Sequence, residues 1–386
     1  MPMYIDVSAA VHSKAGIGRY AQSLAQALVE QRPGAMAIFY NRVGGSRPPA
    51  GLEAVPARTI RAGYKPWRMA VWLGQLARVS FARLAPGAEL FHATEHLLPY
   101  LGDVPTVLTV HDMIFKLFPE HQKRQNYWYL NATMPLYCRR ADAIITVSES
   151  SKRDIVQQYR LDPAKVHVIY EAAAPEFVPA SPEAVARVRD RYGLPERFAL
   201  HVGTIEPRKN LTRLVEALQR LRDRGLTIPL VVAGGKGWLY EGFFQRLEEL
   251  GVRHDTHFPG YVASEDLPAV YTAATLAVVP SVYEGFGLPV LEAMSCGAPV
   301  ACSDRSSLPE VGGGAALYFD PYDEEAMAEV VATLWMQPDR AAALGAAGRE
   351  QASRFSWQRA AEQTLAVYDR LWSGKQAASH SHYERE

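Results

Sequence analysis

Two glutamates with seven residues between them, Glu284 and Glu292 in EGFGLPVLEAMSCGAPV, are the residues best spaced to do chemistry. Glu284 precedes a Gly-Phe-Gly-Leu-Pro turn, and Pro289 suits the first position of a helix whose opening turns carry Glu292. Such a junction offers the backbone N–H groups of Phe286, Gly287 and Leu288 to an anion, while the two carboxylates accept bonds from neutral hydroxyls. Phosphate beside vicinal hydroxyls describes a nucleotide sugar. An ordinary loop-to-helix junction with two incidental acids is the plain alternative for a Glu-x7-Glu pair alone. The glycines and proline between them weigh against it.

Other segments carry compatible chemistry. In GTIEPRKN a strand ends at Gly203, and Arg208-Lys209 stands just before a helix beginning near Asn210. A guanidinium fork and a compact ammonium together suit a departing diphosphate, although a solvated basic pair has the same appearance. Gly16-Ile17-Gly18-Arg19-Tyr20 follows the first strand and opens the first helix, where glycine lets backbone approach a phosphate closely. It is not the dinucleotide fingerprint, whose third glycine would fall at Ala21. His111-Asp112 ends the apolar strand TVLTV, from which a histidine can bond substrate or move a proton. Thr94 and Glu95, in His92-Ala93-Thr94-Glu95-His96, form a candidate acceptor loop.

The elements that must position these residues are α/β. Short β-rich runs alternate with amphipathic helical stretches: MYIDVS, AMAIFY, ELFHA, TVLTVHD, AIITVS and VHVIY, then RFALHVGT, PLVVAGG, THFPGYV, LAVVPS, PVACSD and ALYFD. Helical patterns lie between, among them Gly18 to Glu30 and His121 to Arg140. The alternation pauses at EAAAPEFVPASPEAVARV. The 386 residues therefore divide into two Rossmann-like units, 1–175 and 176–356, which predicts a cleft at the carboxyl ends of parallel strands. A closing helix, 357–373, and a polar, aperiodic tail, 374–386, expected to be disordered, complete the chain.

Composition narrows the function classes. Lys plus Arg and Asp plus Glu both number 41, so no overall charge points to nucleic acid. The longest apolar runs, such as LTIPLVVAGG, are shorter than the ~20 residues of a membrane span. The start, MPMYIDVSAAVH, enters a strand without the features of a signal peptide, so a cytoplasmic protein is expected. Cys138, Cys296 and Cys302 form no CxxC pair and read as small buried residues. His380 and His382 make a poor metal site on a tail. One segment stands out: Arg58 to Leu84 mixes Arg and Lys with Tyr64, Trp67 and Trp72 and contains no acid. That pattern suits an interfacial helix on an anionic membrane, or equally a solvated helix with a few buried aromatics.

From Gly16 to about Trp357 the chain resembles the retaining glycosyltransferases of the GT-B fold, a group that includes bacterial mannosyltransferases. EGFGLPVLEAMSCGAPV is the most specific part of the likeness. The resemblance implies two Rossmann-like domains facing across a cleft, the second holding the nucleotide and the first the acceptor. It implies that Glu284 meets hydroxyls of the transferred sugar and Glu292 those of the ribose. Phe286, Gly287 and Leu288 would face sugar and phosphate, and Gly16 the phosphate from across the cleft. Arg208 and Lys209, beyond Gly203, would face the diphosphate. Tyr261 and Val262 resemble the segment that meets the base, and His111 would contact the donor sugar near the reacting carbon. The closing helix resembles one that crosses back onto the first domain. Where many members have an arginine after the strand-ending glycine, this chain has Thr204.

The implied reaction is transfer of a hexose, with mannose from GDP-mannose as the lean, to a polysaccharide, oligosaccharide or lipid-linked acceptor with retained anomeric configuration. No enzyme nucleophile is evident, so a front-face reaction is expected, with the leaving diphosphate neutralised by Arg208, Lys209 and the helix start. No Asp-x-Asp pair offers metal ligands, and no cofactor or metal is expected. Peripheral contact with the inner face of the cell membrane fits the Arg58 to Leu84 segment. A sugar-nucleotide epimerase of similar architecture and a non-catalytic nucleotide-sugar-binding protein stay open as alternatives.

Overall fold

The computed structural model describes residues 2–12, 16–42 and 46–383, and of 374–383 the backbone alone. The chain forms two compact units. Unit 1 comprises residues 1–117, 124–171 and 356–386; unit 2 comprises 118–123 and 172–355.

Unit 1 is a seven-stranded parallel sheet of β1 (Met3–Asp6), β2 (Met36–Asn41), β3 (Ala57–Ile60), β4 (Leu90–Ala93), β5 (Thr106–Val110), β6 (Ala143–Thr146) and β7 (Val166–Val168), in the order β3-β2-β1-β4-β5-β6-β7. The inner strands are buried at every position except Met3 of β1, as TVLTV of β5 illustrates, because helices cover both faces. Ile5 is registered against Ile38 on one side and His92 on the other. Phe39, Phe91, Trp67 and Tyr137 fill the core.

Unit 2 is a six-stranded parallel sheet of β8 (Ala199–Val202), β9 (Leu230–Ala233), β10 (Thr256–Gly260), β11 (Leu276–Val279), β12 (Val300–Ser303) and β13 (Leu317–Phe319), in the order β10-β9-β8-β11-β12-β13. Helix Leu211–Asp223 buries Leu214, Val215, Leu218 and Leu221 against it, a 3.6-residue stripe. In each sheet the strand order reverses beside the first strand, at β1/β4 and at β8/β11. Ligand crevices form at such points, outside the carboxyl ends of the strands.

Several expectations are corrected. Helix Ser8–His12 lies between β1 and helix Gly16–Gln31, so Gly16 opens the second helix and not the first. The Arg58 to Leu84 segment is not one helix: Ala57–Ile60 is an edge strand on β2, Tyr64–Ala77 is the helix, and Ala82–Leu84 is a 3-10 turn. Asn41 fixes the break by exchanging two hydrogen bonds with the backbone of Ala62. Residues 118–123 lie in unit 2, inside the span expected for the first domain. The helix Trp357–Tyr383 continues through the segment expected to be disordered, where Gln376, Ala377 and Ala378 are good helix formers. Residues 384–386 and the side chains of His380 and His382 lie outside the described residues. All three cysteines are buried and unpaired.

Candidate active site

In unit 2 the loops after β8 and β11 meet at the reversal point. The 3-10 turn Pro207–Lys209 presents Arg208 and Lys209 in succession, and Asn210, in the left-handed region at φ 57°, redirects the chain into the next helix. Asn210 donates through its amide nitrogen to the carbonyls of Pro280 and Pro321, which ties this turn to the loop after β11. The backbone N–H of Val282 donates to the Arg208 carbonyl, 3.0 Å away, and closes the junction.

Glu284 lies at the centre. Its Oε1 accepts from Lys209 Nζ and from Ser281 Oγ, each at 2.6 Å, and its Oε2 accepts from Arg208 at 2.5 Å. Burial by itself would raise this carboxyl, but Arg208 and Lys209 bring it down to about 2, so it is a carboxylate at any working pH. Arg208 also donates through Nε and a second guanidinium nitrogen to Glu206, and to the Tyr283 carbonyl. Lys209 is pulled below the ordinary lysine range by burial and by Arg208, against the opposing pull of Glu284. A carboxylate has about four lone-pair positions, and three are taken here. Glu284 is thus the anchor of both cations, and one position on Oε2 is left over for a hydroxyl.

The turn that follows depends on glycine. Gly287 has φ 117°, and a Cβ there would lie 2.8 Å from a Leu308 methyl. Helix Leu288–Ser295 starts immediately afterwards with Pro289 in its first turn, so the backbone of Gly287 and Leu288 forms the helix head. Ser307 holds the turn by donating to the carbonyl oxygens of Glu284 and Phe286. Phe286 itself packs edge-on against Phe355. Glu292, one turn into this helix, is buried and accepts from the Tyr271 hydroxyl at 3.0 Å. The two glutamates therefore have separate settings on one scaffold: Glu284 among cations, Glu292 beside a phenol. At the neighbouring strand ends, a Cβ on Gly234 would fall 2.0 Å from the Gly203 carbonyl oxygen, which explains glycine at that crossing. Tyr261 is exposed after β10, and Val262 is buried.

Several members of this network had no sequence signal. Ser306, which accepts from the Glu284 backbone N–H, Ser307 and Tyr271 are single polar residues whose partners lie more than twenty positions away, while Glu206 and Ser281 stand close to Arg208 and Glu284 in the chain but match no motif. His201, on β8, is buried with its Nδ1 donating to the Val278 carbonyl, while burial and Lys209 lower it to about 4. His121 belongs to the 118–123 segment, which is fastened to unit 2 by Trp238 Nε1 donating to the His121 carbonyl and by Phe118 packing on Tyr283. Burial lowers His121, and Arg208 adds to the effect.

Unit 1 gathers a second cluster at its own reversal point. His111, at the end of β5, points Nδ1 at Glu171 Oε1, 3.3 Å away, and Nε2 at the Thr94 carbonyl, 3.0 Å away. Both partners are acceptors, an arrangement that favours the doubly protonated ring. Burial opposes that charge, but Glu171, the Thr94 carbonyl and Asp112 outweigh it and raise His111 above its ordinary value. The Tyr20 ring meets His111 edge-to-face at 4.6 Å. Thr94 donates its hydroxyl to the Asp6 carbonyl, and burial raises Asp6 to about 6 and, with Asp6 nearby, Glu95 to about 7. Glu171 was not visible in the sequence because it follows β7 in the stretch where the alternation pauses. Gly16 is exposed at its helix start, and residues 13–15 before it lie outside the described residues. Among the described residues no group of three or more His, Cys, Asp or Glu side chains is placed to hold a metal ion.

Residues 187–351 match the family model of the glycosyl transferases group 1, and residues 15–177 match that of glycosyltransferase family 4. The O-antigen chain mannosyltransferase B of Escherichia coli is 37% identical over 286 residues, which span 73% of this chain and 74% of that protein. The serotype-specific mannosyltransferase WbdA of Escherichia coli is 32% identical over 279 residues, 70% of this chain but only 34% of that longer protein. Among solved structures, the sucrose-phosphate synthase of Thermosynechococcus elongatus superposes with a TM-score of 0.76 at 21% identity, covering 97% of this chain and all of that one. At that identity the likeness speaks for the fold.

Proposed function

Because the chain belongs to the group 1 glycosyltransferases and is built on the GT-B fold, we propose that it moves a hexose, mannose in the first instance, from a nucleoside diphosphate sugar to a polysaccharide, oligosaccharide or lipid-linked acceptor with retention at the anomeric carbon. GDP-mannose is the favoured donor, and no metal is required. The observation that carries this reading is the cluster at the β8/β11 reversal in which half-buried Arg208 and buried Lys209 share buried Glu284. Cations held by a carboxylate are preorganised for a second anion, since the Lys209 ammonium has hydrogens beyond the one given to Glu284.

In this reading the bond from the anomeric carbon to the diphosphate oxygen breaks while the acceptor oxygen bonds to the same face. The acceptor proton passes to the departing phosphate. Arg208, Lys209 and the helix head at Gly287 and Leu288 stabilise the charge that develops, Glu284 keeps both cations in place and meets a sugar hydroxyl, and Glu292 meets the ribose. Gly203, Tyr261 and Val262 supply backbone to the nucleotide. Gly16 takes the phosphate side of unit 1, His111 contacts the donor sugar near the reacting carbon with its ring, and Thr94 and Glu95 receive the acceptor. Acceptor-dependent release of nucleoside diphosphate, with the sugar recovered on the acceptor in the donor's anomeric configuration, tests this reading. Sugar recovered with inverted configuration, or nucleotide release that ignores the acceptor, would overturn it.

A further inference from the structure

The helix Tyr64–Ala77 in unit 1 has two apolar faces. One packs inward through Trp67, Val71 and Gly74. The opposite one leaves Met69, Leu73 and Leu76 exposed at 42%, 55% and 54%, spaced four and three residues apart and so stacked on one side of the helix. Val79, just beyond the helix, is 57% exposed. Helices that are apolar all round are ordinarily enclosed. This one is not.

The charges carried by its own segment have one sign. Arg58, Arg61, Lys65, Arg68, Arg78 and Arg83 fall between residues 54 and 88, and no acid does. The helix Arg124–Arg140, which packs beside it, also lacks acids and exposes Trp128 at 62%. The two helices are joined by Arg68, whose guanidinium lies 3.6 Å above the Tyr129 ring and donates to Asn126. Trp72 packs edge-on to the same tyrosine. No helix among the described residues is long and apolar enough to cross a membrane.

We infer that the outward face of helix Tyr64–Ala77, with Trp128 beside it, is a membrane-docking surface that lays Met69, Leu73, Leu76 and Val79 into the interface of an anionic bilayer. Apolar side chains enter the acyl boundary, the long basic side chains reach headgroup phosphates, and an exposed tryptophan suits the interfacial layer. A protein partner would more naturally find mixed charges on the docking element itself; two neighbouring helices that carry bases and no acids complement a negatively charged plane. The surface stands independently of the sugar donor and needs no catalytic residue.

The test is co-sedimentation of the full chain with vesicles of phosphatidylcholine alone and of phosphatidylcholine with phosphatidylglycerol, without nucleotide sugar. Binding is expected to the phosphatidylglycerol vesicles and to weaken as salt rises. The double variant Leu73→Glu, Leu76→Glu is expected to lose about tenfold or more in partitioning, because it removes inserted apolar area and adds repelling charge. Both positions are solvent-facing, so its circular dichroism and its turnover of a water-soluble acceptor should match the parent. Absence of binding to either vesicle type overturns the inference, as does equal binding by the double variant. Concentration-dependent dimerisation abolished by the same variant would assign the face to a second copy and overturn the bilayer as occupant.

Discussion

Lys209 is buried, touches Glu284 and sits next to Arg208 in the chain, so its charge is held in place before any substrate arrives. Preorganised charge matters most when a leaving group develops its own. Lys209→Ala should therefore lower the turnover number about 100- to 1,000-fold, some 2.7–4 kcal/mol in the barrier, while changing donor KM much less. Steady-state kinetics with donor and acceptor varied separately would measure this, and an unchanged turnover number would sink the clamp. His111 gives a second residue-scale prediction. Its folded value is raised, so the stabilisation it brings is fully present below its ordinary value of 6.5 and is lost as pH rises through the higher folded value. Glu171→Gln keeps an acceptor oxygen and removes the charge, so the alkaline limb of the kcat/KM profile should move to lower pH and the loss of stability on raising the pH should begin earlier. A profile superimposable on the parent's would remove Glu171 as the residue that keeps His111 charged.

Elements deliver these residues, and the loop from Glu284 to Leu288 shows how narrowly. Alanine at Gly287 would have to adopt φ 117° and push its Cβ against Leu308. Strain of that kind costs about 1–3 kcal/mol. Gly287→Ala should lower the unfolding midpoint and weaken nucleotide binding together, since the helix head and the carbonyls held by Ser307 must shift. Gly314, where a Cβ meets nothing within 4 Å and φ is not positive, is the control: Gly314→Ala should leave binding as it was. Calorimetric titration with nucleoside diphosphate distinguishes them, and equal behaviour of the two variants would show that the turn does not position the ligand. This junction was legible because glycine and proline carry local meaning. So were the inner strands, whose uninterrupted apolar runs come from burial on both faces. β3 was not, because ARTI is short, largely exposed and at the sheet edge, where alternation has nothing to report. The partners of the site were not legible either: Tyr271 and Glu171 acquire meaning only when distant segments converge, and Glu206 and Ser281, though close in the chain to Arg208 and Glu284, match no motif.

At the scale of the molecule, a segment of the first half of the chain, Phe118–Lys123, belongs to unit 2, and nothing in its residues announced that. Trp238 holds it by a hydrogen bond to the His121 carbonyl, and its rings pack on each other and on Tyr283, next to the residue that anchors the site. Each unit has its own sheet and its own core, so ligand binding energy enters the fold where the ligand's contacts are. A nucleotide at about 100 times its dissociation constant adds roughly 2.7 kcal/mol to the state that binds it. Hydrogen exchange read peptide by peptide should then slow in Gly203–Asn210, Ser281–Leu291 and Phe118–Lys123 when GDP is added, and β10 should follow through the Gly234 amide bonded to the Gly260 carbonyl. GDP should protect more than UDP or ADP at equal concentration if guanosine is the base. Protection confined to the strand ends at Asp6 and Thr94 would move the nucleotide to unit 1 and overturn the assignment of donor and acceptor units. Protection equal for all three nucleotides would leave the diphosphate clamp standing and remove the guanosine preference.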